Sequence, residues 1–160
     1  MGTKEVLLQQ FANCYDKNEW FVAVKNAIDG VTAEQAAWKP DGVQHSIREL
    51  LSHVIHDTNA FLQRSQGLEY KSQVASNDET FHSAAGSWEA DLVRFETIMT
   101  NLRELIHNAD ESKLEELTPP RNESWQNELA NMNAHNAYHS GQIVLLRKLQ
   151  QNWDAKKGVS

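Results

Sequence analysis

Two histidines, His135 and His139, stand four residues apart in a stretch whose apolar residues recur with a helical period. At ~100° per residue, Met132, His135, His139, Ile143 and Leu146 fall on one face. His139 lies near the centre of that stripe and His135 within roughly 40° of it. Two imidazoles thus occupy places where core side chains are expected. A buried polar group without a partner costs about 1–3 kcal/mol, so both rings need one. Side chains at i and i+4 lie about 5–6 Å apart on a helix face, close enough for two ring nitrogens to converge on one ion. One metal would satisfy both rings; the alternative is that each finds its own hydrogen bond or water.

Neighbouring patterns fit other chemistries less well. His135-Asn136-Ala137-Tyr138-His139 has the spacing of a zincin helix, but Asn136 stands where the general-base glutamate belongs. An amide takes no proton at neutral pH, which excludes zincin-type peptidase chemistry. Glu104-Leu105-Ile106-His107 is a single copy of a spacing that di-iron bundles use twice. A third ligand would have to come from another helix. His45 precedes a helix cap, His82 sits in a polar loop, and His107 reads as a solvated helix end. On the second helix His56 points away from the apolar stripe, whereas His53 lies on its flank beside Leu50 and Asp57. Periodicity prefers His53 to His56 without placing it at the centre. Asp57 reads either as a carboxylate that orients a ligand ring or as a surface charge. Gln142, three residues after His139, could orient a ring or a bound water, or bond across helices. Gly141 suggests a close backbone approach, and Trp38 and Trp125 read as core plugs.

These residues need helices to position them, and four long segments have the period. The first is expected over Thr3 to Ile28, with the stripe Leu7, Phe11, Cys14, Phe21 and Ile28 and a stop at Asp29-Gly30. A short turn capped by Thr32 follows and ends at Lys39-Pro40. The second begins with the capping box Ser46-Ile47-Arg48-Glu49, buries Ile47, Leu50, Leu51, Val54, Thr58 and Phe61, and fades near Ser65-Gln66-Gly67. The polar stretch Gln66 to Ser83 reads as a long loop. The third carries Trp88, Leu92, Phe95, Met99, Leu102 and Ile106, and the fourth runs from Ser124 to Gln150. None shows the alternation of a strand. The expected architecture is all-α: a four-helix bundle with long connections, one domain over residues 1–160.

Composition narrows the function classes. The 160 residues are 40% hydrophobic and 23% charged, with a net charge of -7. An acidic surface repels phosphate backbones, which argues against generic nucleic-acid binding. No stretch has the length of a membrane span, and the N-terminus has no apolar core of signal-peptide length. The single cysteine, Cys14, allows no internal disulfide and falls on an apolar stripe, where a buried, inert thiol is expected. Cytoplasm is the expected compartment.

Trp38-Lys39-Pro40, Ser46-Ile47-Arg48-Glu49-Leu50-Leu51-Ser52-His53, Trp125, and His135-Asn-Ala-Tyr-His139-Ser-Gly141-Gln142-Ile143 together resemble the DinB-like superfamily, which includes the YfiT-like thiol transferases. Spacing and helix count agree over essentially the whole chain. The resemblance implies a four-helix bundle that binds a divalent cation, commonly nickel or zinc, through His53, His135 and His139. It implies homodimerisation as well. Characterised members include S-transferases that use bacillithiol, mycothiol or glutathione and a mycothiol-dependent isomerase; others have no assigned activity. The expectation is therefore a metal-dependent transferase acting on a small-molecule thiol and an electrophile. A non-enzymatic metal-binding stress-response bundle and a metal-dependent hydrolase are the alternatives.

Overall fold

The structure, a computed structural model, describes residues 2–72, 74–82 and 85–158. Its helices are α1 (Thr3–Tyr15), α2 (Val24–Ile28), α3 (Ala33–Ala37), α4 (Ile47–Ser65), α5 (Trp88–Asn108) and α6 (Trp125–Leu149). The four long ones close into a ring, because α1 and α4 each pack against both α5 and α6. Their inward stripes meet in one core, where Phe11, Leu50, Leu51, Phe95, Met99, Leu102, Ile106, Leu129 and Ile143 are buried. The expected all-α architecture is the one observed.

Three boundaries follow directly from local chemistry. At the start of α4 the Ser46 hydroxyl accepts from the Glu49 amide at 3.2 Å, and Glu49 Oε2 accepts from the Ser46 amide at 2.6 Å. Two of the free donors of the first turn are thereby satisfied. Thr32 and Gln35 make the same reciprocal pair ahead of α3. Gly30 follows α2 at φ 72°, a left-handed position that a side chain would strain.

The first segment departs from expectation. In place of one helix from Thr3 to Ile28 there are two, with a break after Tyr15. Asn18 holds the break: its Oδ1 accepts from the Ala23 amide at 2.9 Å and from Asn26 Nδ2 at 2.8 Å. Its own Nδ2 donates to the Lys157 carbonyl at 2.7 Å. Such side-chain bonds offer the backbone an alternative to the helical ladder. Trp20 is left 94% exposed and Phe21 leaves the stripe, while Val22 and Ala23 enter the core.

Two connections also hold structure that periodicity did not show. Within the expected Gln66–Ser83 loop, Asp78–Phe81 forms a 3-10 turn that buries Thr80 and Phe81; Ser83 lies outside the described residues. The Ser52 hydroxyl on α4 reaches the carbonyls of Thr80 and His82, at 3.1 and 3.0 Å, and ties the turn down. Between α5 and α6, β1 (Leu117–Thr118) pairs antiparallel with β2 (Glu123–Ser124), a ladder too short to reveal any alternation. Trp125 plugs the core as expected, but Trp38 is 38% exposed, because it ends α3 in extended backbone.

Candidate metal centre

Residues on α4 and α6 meet where the two helices pack. His53 on α4 and His139 on α6 are buried, and His135 is half-buried. His53 Nε2 lies 2.8 Å from His135 Nε2, which lies 3.1 Å from His139 Nε2. One ligand atom from each ring falls within 4.8 Å of the others. The helical stripe thus brings His135 and His139 together as expected, and His53, on the flank of its own stripe, closes the trio. His56 is turned elsewhere, with Nδ1 3.0 Å from Asp57 Oδ1 and Nε2 2.9 Å from the Tyr70 hydroxyl.

The opposite ring nitrogens determine what faces the shared point. The Thr80 hydroxyl spends its only hydrogen on the Asn77 carbonyl at 2.5 Å. It can therefore only accept from His53, and Nδ1 stands 2.6 Å away. His139 Nδ1 is 2.6 Å from Gln142 Oε1, and His135 Nδ1 is 3.2 Å from Asn136 Oδ1. A carbonyl oxygen accepts, so each Nδ1 carries the hydrogen and each Nε2 presents a lone pair. Three lone pairs turned on one another repel unless a cation lies among them. Such a set could hold a nitrogen-ligated divalent ion, with the partner behind each ring fixing its tautomer.

Packing and charge favour neutral rings at His53 and His139. Phe81 lies flat between His45 and His53, with centroid distances of 3.9 and 4.1 Å and both interplanar angles 10°. Burial pushes His53 down to about 4; Asp57 opposes this, and the neighbouring His135 and His139 add to it. Burial, reinforced by His135, also lowers His139. Neutral imidazole is the form that binds metal.

Asp57 does not stand behind a ring. Its Oδ2 is 3.5 Å from both His53 Nε2 and His135 Nε2, on the solvent side of the trio. Next to it lies a cavity of about 230 Å³ lined by Asp57, Phe61, Arg64, Arg121, Glu128 and His135 among others.

The remaining sequence candidates lie elsewhere. His82 and His107 are exposed. Cys14 is buried, its thiol 3.1 Å from the Asn133 carbonyl and pushed up to about 11 by burial. A Cβ placed on Gly141 would meet nothing within 4 Å among the described residues, so no backbone of the same chain approaches it. Thr80 and Phe81 have no sequence signal, because they sit in a connection without a period; His45 reads only as the residue before a cap, and Asn136 only as the missing glutamate.

Architecture and site together define an all-α bundle with a three-histidine centre between two of its long helices. The sequence profile of the DinB superfamily matches residues 22–143, a span that includes all three histidines, and the chain belongs to that superfamily. A comparison with curated proteins finds no match.

Proposed function

We propose that His53, His135 and His139 hold one divalent ion, nickel or zinc, and that the protein is a metal-dependent S-transferase joining a small thiol, such as bacillithiol, to an electrophile. The ligand set is supported by the three Nε2 lone pairs turned to one point, with each Nδ1 engaged by Thr80, Gln142 or Asn136. Imidazole donors suit both metals. A bound divalent ion with three neutral ligands would bring a thiol's ionisation towards neutral pH. The chain's own part is to fix the ring tautomers and leave the side next to Asp57 open to the cavity. In the transfer the thiol loses its proton to solvent, its sulfur pair forms the new S–C bond, and the leaving group departs with the electrons of the broken bond.

Metal analysis of untagged protein should find about one equivalent per chain. Titrating thiols into cobalt-substituted protein should then raise a sulfur-to-metal charge-transfer band. If bacillithiol, glutathione and simple thiols all leave the spectrum unchanged, the transferase reading fails.

Asp57 favours a second reading, metal-dependent hydrolysis, because a carboxylate 3.5 Å from two of the Nε2 atoms is placed to take a proton from water. Ester hydrolysis that Asp57→Asn abolishes while metal content is retained would support it. If neither activity is found, a non-enzymatic metal-binding bundle remains.

We propose further that the chain acts as one domain over residues 1–160, in the cytoplasm, as a homodimer. Among the described residues no helix is long and apolar enough to cross a membrane. The dimer is supported by an outer face of α6 where Gly141 and Leu145 lie open beside the exposed Trp20.

A further inference from the structure

The cavity next to His135 carries charges that the three histidines do not need. Glu128 is buried there, with one oxygen on Arg64 Nη2 and the other on the Thr118 hydroxyl. Arg64 has a side chain only 10% exposed, yet its Nε meets no acceptor. Arg121, at the turn between β1 and β2, lines the same cavity. The chain has six arginines. Arg48 and Arg94 meet Asp91, Arg103 meets Asp16, Arg147 meets backbone carbonyls, and Arg64 meets Glu128. Arg121 alone has no acceptor among the described residues. One small space is therefore lined by two guanidiniums: exposed Arg121, whose donors are open, and Arg64, which is held on Glu128 and keeps an unpartnered Nε beneath the surface.

Charge balance says what would use them. Asp57 and Glu128 offset Arg64 and Arg121, so the double charge of a held ion would stand uncompensated. A ligand bearing one thiolate and one carboxylate neutralises it. Guanidinium donors match a carboxylate in geometry as well as in charge. The cavity, about 230 Å³, lies below the roughly 300–1,000 Å³ typical for drug-sized ligands, and so suits a short thiol acid or the thiol-bearing arm of a larger one.

We infer that this cavity receives a small thiol bearing a carboxylate, with its sulfur at the three Nε2 atoms and its carboxylate on Arg121. The inference rests on the thiol-transferase reading above and names the class of thiol.

The test compares 3-mercaptopropionate with its neutral isostere 3-mercaptopropionamide, titrated into cobalt-substituted protein through the charge-transfer band. The acid should bind at least about tenfold more tightly, as expected for a charge-assisted contact. Arg121→Gln should erase that preference and leave the amide's affinity unchanged, while Arg121→Lys keeps part of it. If both thiols give the band with equal affinity, or if Arg121→Gln weakens both alike, the inference is overturned while the transferase reading stands. If neither thiol gives a band, the transferase reading and this inference fall together. If plain propionate binds as tightly as the thiol acid and depends equally on Arg121, the carboxylate belongs to another substrate and the inference is again overturned.

Discussion

Thr80 decides the tautomer of His53, because its hydroxyl hydrogen goes to Asn77 and leaves only an acceptor for Nδ1. Valine has the same shape and no acceptor. Thr80→Val should therefore keep the fold and weaken metal affinity by about 10–100-fold, as measured by competition with a chromophoric chelator. An unchanged affinity would show that Phe81 stacking alone orients the ring. His53→Ala should abolish stoichiometric metal binding, while His56→Ala, which removes a ring bonded to Asp57 and Tyr70, should leave it intact. The reverse pattern in metal analysis would move the centre by one helical turn.

Among the elements, the break between α1 and α2 depends most on one residue. Asn18 accepts from Ala23 and Asn26 and donates to Lys157, so one amide joins three parts of the chain. Asn18→Ala leaves the partly buried Ala23 amide without its acceptor and should cost about 1–3 kcal/mol in denaturant unfolding, with metal stoichiometry unchanged. A variant as stable as the parent would mean that the core contacts of Val22 and Val24 hold the break by themselves. The Asp78–Phe81 turn works differently. It is fixed from α4 through Ser52, and it in turn supplies Thr80 and Phe81 to the α4 histidine.

Two properties belong to the whole molecule. Burial holds His53 at about 4 in the fold, against ~6.5 in the unfolded chain, and shifts His139 in the same direction. The unfolded chain thus binds protons that the metal-free fold refuses. The stabilisation is complete above pH ~6.5 and is lost as pH falls towards 4, with about 3 kcal/mol at stake for His53. Thermal unfolding of metal-free protein should show the Tm falling across this window, and the fall should be smaller in His53→Gln. An equal fall in both proteins would assign the acid sensitivity to other groups. The second property is assembly. Leu145→Glu, on the open face of α6, should convert a dimer to a monomer in sedimentation without loss of metal. A parent protein that sediments as a monomer would reject the dimer.

Hydrophobic period and capping chemistry were enough to determine the α4, α5 and α6 helices, the all-α class, and the inward face shared by His135 and His139. These are local properties, set by neighbours three and four residues apart along one helix. Tertiary structure alone decided the rest. The break after Tyr15 depends on Lys157, at the other end of the chain, as well as on local bonds. His53 was ambiguous from its own helix, since a flank position becomes a site position only when α6 packs against it. Thr80, Phe81, Asn136, Arg64 and Arg121 acquire their places from packing between elements, and no periodicity encodes a contact across a bundle. Asp57 shows the difference most directly. Spacing could put it only one turn after His53, whereas the fold sets its carboxylate 3.5 Å from histidines on two helices, where α4 and α6 open to solvent.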